Sequence, residues 1–204
     1  MKFNKFIDLR LGKTVDFDGC YGVQCVDFID DYIKNCLGLD IRFYGNAKDW
    51  WNERNSSKWL KDNFEFVNPQ TTVPKCGDIG VRTSGTYGHI FIVAKTVFDN
   101  LLVIYDQNGT GKSDKIQMRT IENKPSNITG ILRPKNRSNI DMWGTHIIKE
   151  NCDVYSGSNF KTKIGYLYKG DEVKFLGTAN THSMVVYPVN NYYKVGVIKR
   201  GNLV

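Results

Sequence analysis

The hydrophobic pattern of residues 25–37 is that of an amphipathic helix. Apolar side chains recur at helical spacing and fall on one face: Val26, Ile29, Ile33 and Cys36. Gly38 follows at the position where a glycine commonly ends a helix. The pattern therefore predicts a helix that begins at Cys25. Residues 47–60, which contain three of the four tryptophans, predict a second helix.

From about residue 76 the pattern changes from helical to β-strand spacing. Residues 88–98 and 101–105 are rich in β-branched and aromatic side chains, and the turn signal Asp99-Asn100 separates them. Gly109-Thr-Gly111 marks another turn, and residues 128–132 predict a short closing strand. The first part of the chain is thus expected to place its helices before its strands.

The last third of the chain has a different organisation. Residues 135–142 are polar and predict a linker between two domains, residues 1–134 and residues 143–204. The second domain contains short β-like runs separated by Gly, Asn and Ser. Strands of this length and spacing predict a small all-β barrel.

Composition excludes disorder for the chain as a whole and adds a charge bias. Hydrophobic residues make up 41% of the 204 residues and charged residues 24%, values typical of folded soluble proteins. The net charge of +7 fits an anionic partner, such as nucleic acid, anionic lipid or a wall polymer, and equally a surplus kept for solubility. Residues 1–10 lack the apolar core of a signal peptide, and no apolar run is long enough to span a membrane. We therefore expect synthesis in the cytoplasm without membrane insertion.

The chemistry of the cysteines narrows the candidates for a reactive group. The chain has five cysteines and no Cys-x-x-Cys, so neither a disulfide framework nor a structural zinc site is expected. With the thiols reduced, one of the five could serve as a nucleophile. Alternatively, all five are small hydrophobic side chains buried in the core. Cys25 is the candidate nucleophile because free N–H groups at the start of a helix stabilise a thiolate.

A base and an orienting group for this nucleophile are also present. His89 opens the strand after Gly88, and Asp106 or Asn108 could fix its tautomer from the far end of the hairpin. A two-residue turn at Asp99-Asn100 would place Asp106 opposite residue 93, so a longer loop or a bulge is needed to bring it beside His89. Alternatively, Asp106 and Asn108 are only turn residues that precede Gly109.

In combination these segments resemble the CHAP domain of phage endolysins and bacterial autolysins. The resemblance covers roughly residues 1–134 and is carried by four motifs: Asp-Gly-Cys-Tyr-Gly-Val-Gln24-Cys25-Val-Asp27, Cys76-Gly77-Asp78-Ile79, Gly88-His89-Ile90 and Asp106-Gln107-Asn108. It implies an α+β, papain-like fold in which N-terminal helices pack on an antiparallel sheet. It also implies a cysteine endopeptidase or N-acetylmuramoyl-L-alanine amidase that acts on peptidoglycan.

The resemblance assigns a role to each candidate catalytic residue. Cys25 would attack the amide carbonyl, His89 would transfer the proton, and Asp106 would orient His89. Asn108 would be the fourth polar member, and the Gln24 side chain with the Cys25 N–H would stabilise the oxyanion. Acting on the wall would require release from the host cytoplasm, as for a phage enzyme. The residues do not distinguish phage from bacterial origin, and a monomer is expected.

The segment before Cys25 has the ligand spacing of a calcium loop. Asp16, Asp18 and Asp27 fall at relative positions 1, 3 and 12, with the backbone carbonyls of Cys20 and Gly22 at positions 5 and 7. Tyr at position 6 and Asp at position 12 depart from the EF-hand pattern, and the spacing alone fits an acidic turn equally well. Some CHAP endolysins resemble this chain here and bind calcium, which favours a structural calcium ion.

In the C-terminal domain, residues 152–158, 164–177 and 192–198 resemble those of a bacterial SH3 domain, which binds cell walls. Its tyrosines, Tyr166, Tyr168, Tyr192 and Tyr193, would contact wall glycan or peptide where they are exposed, or fill the barrel core where they are not. Two other classes of function compete with a wall-targeted enzyme. The first is a wall-binding protein without catalytic activity, and the presence of Cys25, His89 and Asp106 argues against it. A nucleic-acid-binding barrel lacks basic stretches interleaved with aromatics, so no nucleic-acid partner is expected.

Overall fold

The computed structural model of the chain describes residues 1–97, 100–109, 115–140, 145–178, 181–190 and 192–203. The chain forms two compact units, residues 1–140 and residues 141–204. Each unit contains one six-stranded antiparallel sheet, and the helices of the described residues all lie in the first unit. None of these helices has the length and apolar character needed to cross a bilayer.

The first unit begins with two helices that form much of its aromatic core. These are α1 (Phe3–Arg10) and α2 (Cys25–Tyr32), and a short π-helix at Ile33–Leu37 continues α2. Gly38 ends this segment in the left-handed conformation, with φ of 73°. The predicted helix over residues 25–37 is therefore confirmed, with a π-helical last turn.

The predicted single helix over residues 47–60 is wrong. Two short helices form instead, α3 (Asp49–Asn52) and α4 (Lys58–Asn63). The Ser57 side chain accepts a hydrogen bond from the Leu60 N–H at 3.3 Å and starts α4 as its N-cap. The tryptophans lie on both sides of this break, so their burial does not require one continuous helix.

The sheet of the first unit has the strand order β1-β6-β2-β3-β4-β5. The strands are β1 (Phe64–Val67), β2 (Ile79–Arg82), β3 (His89–Val97), β4 (Leu101–Asp106), β5 (Gln117–Glu122) and β6 (Gly130–Pro134). The hairpin of β3 and β4 confirms the two strands predicted around residue 100. The predicted closing strand is β6, but it lies inside the sheet between β1 and β2, because β1 supplies an outer neighbour.

Aromatic contacts fix the helices on this sheet. Phe6 of α1 stacks on Phe28 of α2, with ring centroids 5.8 Å apart. Phe3 meets Tyr105 of β4 edge to face at 6.4 Å. Because aromatic pairs favour such stacked and edge-to-face geometries, α2 and its first residue are held at a defined place beside β3 and β4.

Asp78 connects the middle of the sheet to residues that follow it. Its side chain is fully buried and accepts hydrogen bonds from Arg133 at 2.7 Å and Arg137 at 3.1 Å. The Asn139 side chain donates to the Cys36 carbonyl at 2.8 Å. Residues 135–140 of the predicted linker thus pack on the first unit, while residues 141 and 142 lie outside the described residues.

The second unit is a single antiparallel sheet of order β7-β10-β11-β12-β8-β9. Its strands are β7 (Thr145–Ile147), β8 (Cys152–Tyr155), β9 (Lys163–Leu167), β10 (Glu172–Thr178), β11 (His182–Val189) and β12 (Tyr192–Lys199). A cluster of seven buried side chains forms its core: Ile148, Val154, Leu167, Val173, Val185, Tyr187 and Ile198. The all-β composition predicted for this part is confirmed, and the SH3-like barrel stays a prediction.

Candidate active site

Cys25 is the first residue of α2, and Asp27 fixes this end of the helix. The Asp27 carboxylate accepts hydrogen bonds from the N–H groups of Gln24 at 2.7 Å and Phe17 at 3.0 Å. A carboxylate that bonds back to the residue before a helix satisfies one of the free donors there. Asp27 therefore ties the preceding loop to the helix start and sets the position of Cys25.

A bulge in β3 brings Asp106 towards His89. The pairing Val97↔Leu101 leaves three residues for the connection, and the register shifts by one more residue between Val93 and Lys95. Because Ile92 pairs with Tyr105, Asp106 falls opposite residue 91, two residues closer to His89 than a two-residue turn without a bulge would place it. His89 and Asp106 then lie diagonally across the two strands on the same face.

His89 and Asp106 form a buried hydrogen-bonded pair. His89 Nε2 lies 2.9 Å from Asp106 Oδ2, and the two side chains are 8% and 1% exposed. The His89 side chain also hydrogen bonds Cys25. Since Nε2 is engaged by Asp106, Nδ1 is the nitrogen left for the thiol. The three side chains thus form a continuous chain from sulfur to carboxylate.

Arg119 is the other partner of Asp106, and sequence reasoning missed it. It lies on β5, directly opposite Ile104 of β4. Its Nε donates to Asp106 Oδ1 at 3.0 Å and its Nη2 donates to Oδ2. Such a two-pronged guanidinium–carboxylate pair fixes the plane of the carboxylate as well as its charge. A buried carboxylate requires a partner, and that requirement was the signal available in the sequence.

The electrostatics of the pair favour a charged histidine. Burial lowers the pKa of His89, but the hydrogen bonds to Asp106 and Cys25 raise it by more, to about 9. Burial likewise raises the pKa of Asp106, and the hydrogen bonds from His89 and Arg119 outweigh that effect and lower it. Near neutral pH the site therefore contains an imidazolium that is hydrogen bonded to the Asp106 carboxylate and to Cys25.

The environments of the other cysteines differ from that of Cys25. All five lie in the described part of the chain and are free thiols. Burial raises the pKa of Cys36 to about 12, which keeps it protonated. Burial also raises the pKa of Cys152. Cys25 combines partial exposure with a hydrogen bond to a histidine, as expected of a nucleophile.

Gln107, a residue without a predicted role, fixes the loop that precedes Cys25. Its fully buried side chain donates to the carbonyls of Val15 and Gln24, both at 2.7 Å, and accepts from the Val15 N–H at 2.6 Å. The neighbouring Asn108 donates to the Val23 carbonyl at 3.3 Å, and its Oδ1 is buried without a partner among the described residues. The segment after β4 thus holds the residues that precede Cys25.

The predicted catalytic residues line one cleft of 710 Å³, with the exception of the buried Asp106. Gln24, Cys25, His89 and Asn108 all contribute to its walls. The rim contains two exposed tyrosines, Tyr21 and Tyr87. The structure therefore brings the predicted nucleophile, base and polar groups to one accessible surface.

The predicted calcium loop brings its three carboxylates together. One oxygen from each of Asp16, Asp18 and Asp27 lies within 4.8 Å of the others. Asp16 and Asp18 are exposed, and each also accepts a hydrogen bond from the loop backbone: from Gly19 at 2.9 Å and from Cys20 at 2.7 Å. Burial raises the pKa of Asp27, and the neighbouring Asp18 and Asp16 raise it further. Three clustered carboxylates form a donor set that a calcium ion prefers.

Comparison with known families supports the resemblance over the central part of residues 1–134. A family model described as the CHAP domain matches residues 14–108. The matched range begins before Asp16 and ends at Asn108, so it contains every predicted catalytic and metal-binding residue. Arg119 lies beyond it.

Two curated relatives are phage endolysins. Endolysin PlyTW of Staphylococcus phage Twort (strain DSM 17442 / HER 48) is 36% identical over 137 residues, 63% of this chain and 28% of the relative. Endolysin LysK of Staphylococcus phage K is 35% identical over 113 residues, 54% of this chain and 22% of the relative. The chain thus spans about a quarter of the length of these relatives.

Among solved structures, the chain is similar to the crystal structure of Ly7917 with the hydrolyzing product of MDP. The TM-score is 0.48 at 13% identity, and the match covers 95% of this chain and 89% of that one. A second structure of Ly7917 matches with a TM-score of 0.45 at 12% identity. TM-scores below 0.5 do not establish a common fold.

Proposed function

We propose that the protein is a peptidoglycan hydrolase of the endolysin type that cleaves an amide bond of the wall peptide with Cys25 as nucleophile. The observation that carries this proposal is the chain of contacts from Cys25 through His89 to Asp106 at an accessible cleft. The CHAP match and the two endolysin relatives supply the substrate class. A bacterial autolysin would use the same chemistry.

The proposed reaction proceeds through an acyl-enzyme. The Cys25 thiolate attacks the amide carbonyl, and a sulfur–carbon bond forms as the carbonyl π electrons move to oxygen. His89 then gives its proton to the leaving nitrogen, the carbon–nitrogen bond breaks, and a thioester remains on Cys25. Water, deprotonated by His89, hydrolyses the thioester and regenerates the thiol. Asp106 keeps His89 in the required tautomer and orientation.

The start of α2 supplies groups for the developing oxyanion. The N–H of Cys25 lies in the first helical turn, where backbone donors have no partner within the helix. The backbone of Gln24 is fixed by Asp27 and Gln107, and the residue lines the cleft. The Cys25 N–H and the Gln24 side chain are therefore the donors we assign to the oxyanion.

Digestion of purified peptidoglycan tests the reaction type. We expect the protein to release fragments that carry one new amino group and one new carboxyl group per cut, because an amide is hydrolysed. Mass spectrometry of the fragments identifies the bond, either between the sugar and the first alanine or inside the peptide. New reducing sugar ends without new amino groups would contradict the proposal.

We also propose that Asp16, Asp18 and Asp27 bind a structural calcium ion, with the backbone carbonyls of Cys20 and Gly22 as further ligands. The convergence of the three carboxylates supports this assignment. When bound, the cation would offset the repulsion between the carboxylates and stabilise the loop before Cys25. Its proposed role is to hold the nucleophile in place, outside the bond-breaking steps.

The second unit is proposed to bind the cell wall through exposed tyrosines. Tyr166 and Tyr168 are 42% and 62% exposed and meet edge to face at 5.1 Å. Lys163 Nζ lies 5.1 Å from the Tyr166 ring. Exposed rings of this kind stack on sugars and peptides. The side chains of Tyr192 and Tyr193, the other predicted contacts, lie outside the described residues.

Replacing both Tyr166 and Tyr168 by alanine in the full chain should weaken wall binding about 10-fold, a loss of about 1.4 kcal/mol. Co-sedimentation with purified cell walls measures this affinity, and cleavage of a small soluble wall fragment should stay unchanged. Tyr44→Ala is the matched control, because Tyr44 is an exposed tyrosine of the first unit. Unchanged sedimentation of the double variant would refute the assignment of these two rings.

A further inference from the structure

Arg82 is a charged residue of the cleft for which the reaction above has no role. It lies at the end of β2 directly opposite His89 of β3, and its side chain lines the same cleft as Cys25. Directly opposite residues of antiparallel strands have Cβ atoms about 5 Å apart and share a face of the sheet. The guanidinium is therefore next to the proposed catalytic imidazole.

The guanidinium of Arg82 has donors that the described protein does not use. No hydrogen bond or ion pair joins it to another described side chain, in contrast to Arg119 and Arg133, which each bind a buried carboxylate. Its Nε is buried and has no hydrogen-bond partner among the described residues. A buried donor without a partner costs free energy, so an acceptor from a ligand would be stabilising at this place.

The charges of the residues that line the cleft indicate that the ligand group which accepts from Arg82 is an anion. Among the described residues that line it, the ionisable cations are Arg82 and His89, and none is an aspartate or glutamate. An arginine fork matches the two oxygens of a carboxylate, with two parallel N–H donors. Wall peptides carry carboxylates at chain ends and on acidic residues, close to the amide bonds that connect them.

We propose that Arg82 is a specificity residue that binds a free carboxylate of the wall peptide beside the bond that is cut. This inference rests on the proposed function and narrows its substrate to peptides with an anionic group near the scissile amide. Arg82 contributes binding energy to the substrate and takes no part in proton transfer. Its loss should therefore affect KM for carboxylate substrates more than kcat.

The test compares soluble wall fragments in two forms: with free carboxyl groups, and with the same carboxyl groups converted to primary amides. The wild-type protein should cleave the free form with a kcat/KM about 10-fold to 100-fold higher. Arg82→Gln should lose that preference through a raised KM and should cleave the amidated form as the wild type does. Arg82→Lys keeps the charge without the fork, so its preference for the free form should lie between those of the wild type and Arg82→Gln. Arg42→Gln, which removes an exposed cation outside the cleft, is the matched control.

Binding separates this inference from the proposed chemistry. Both fragment forms are titrated into Cys25→Ala and into Cys25→Ala/Arg82→Gln, and we expect the second substitution to weaken binding of the free form only. This holds whether or not the wild type cleaves the fragments, so failure of the proposed reaction remains distinguishable. An equal effect of Arg82→Gln on both forms, or no effect on either, would overturn the role of Arg82.

Discussion

Cys25→Ala and His89→Ala should each lower the rate of peptidoglycan cleavage about 10⁴-fold to 10⁶-fold while the protein stays folded. Both side chains act in the same bond-breaking step, since the imidazole positions the thiol and protonates the leaving nitrogen. The double variant should therefore be little slower than either single variant. Loss of turbidity of susceptible cells and release of fragments from purified peptidoglycan both measure the rate.

Two further variants sharpen this result. Cys25→Ser should also be nearly inactive, because a hydroxyl is a far weaker acid and nucleophile than a thiol. Cys152→Ser is the matched control, since Cys152 is a free thiol of the second unit and should retain full activity. Substantial cleavage by Cys25→Ala would remove Cys25 from the mechanism. Circular dichroism of the Cys25 variants should match the wild type, because the Cys25 side chain is only partly buried.

Cys25 and His89, which the structure brings into contact, could be proposed from sequence because their signals are local. A cysteine at the start of an amphipathic helix and a histidine at the start of a strand can each be recognised within about ten residues. The position of Asp106 was not predictable, since it depends on how many residues the β3–β4 connection and the bulge between Val93 and Lys95 absorb. A period-two strand pattern is insensitive to such a shift of two residues, which leaves each side chain on the same face.

Arg119 shows the limit of local reasoning more clearly. Residues 117–122 do not alternate between apolar and polar side chains, so β5 was not predicted and the partner of Asp106 was missed. The strand becomes evident only through its full pairing with β4. A buried carboxylate at the end of β4 does, however, require a cation, and the strand after the next turn is the nearest place to supply one.

Non-local pairing also explains what was missed in the rest of the fold. β1 is four residues long and is stabilised as a strand by β6, a segment more than 60 residues away. The polar composition of residues 135–140 indicated a linker, but Arg137 donates to a carboxylate that is fully buried in the first unit. Composition alone does not distinguish a solvated linker from a segment whose polar groups bind a core charge.

Removing calcium should destabilise the first unit and slow cleavage together. If Asp16, Asp18 and Asp27 bind the ion, free calcium at 100 times its Kd stabilises the folded state by about 2.7 kcal/mol. A chelator should lower the melting temperature, and calcium should restore it, while equal magnesium should not, because magnesium tolerates irregular oxygen cages poorly. Cleavage should fall in parallel, since Asp27 connects this loop to the residue that precedes Cys25.

Asp18→Ala is the variant that separates the effect of the bound ion from a direct effect on the fold. The Asp18 carboxylate is exposed and accepts one loop hydrogen bond, whereas Asp27 also fixes the start of α2, so Asp27→Ala would perturb the helix directly. Asp18→Ala should melt at the same temperature with chelator and with calcium. Asp62→Ala removes an exposed carboxylate that pairs with Lys58 outside the loop, and it should keep the full calcium response.

The calcium proposal would be contradicted if the melting temperature of the wild type did not change with chelator and elemental analysis found no calcium. Asp16, Asp18 and Asp27 would then form an acidic turn without a metal. The assignment of Cys25 and His89 would be unaffected, because their contacts do not involve the loop carboxylates.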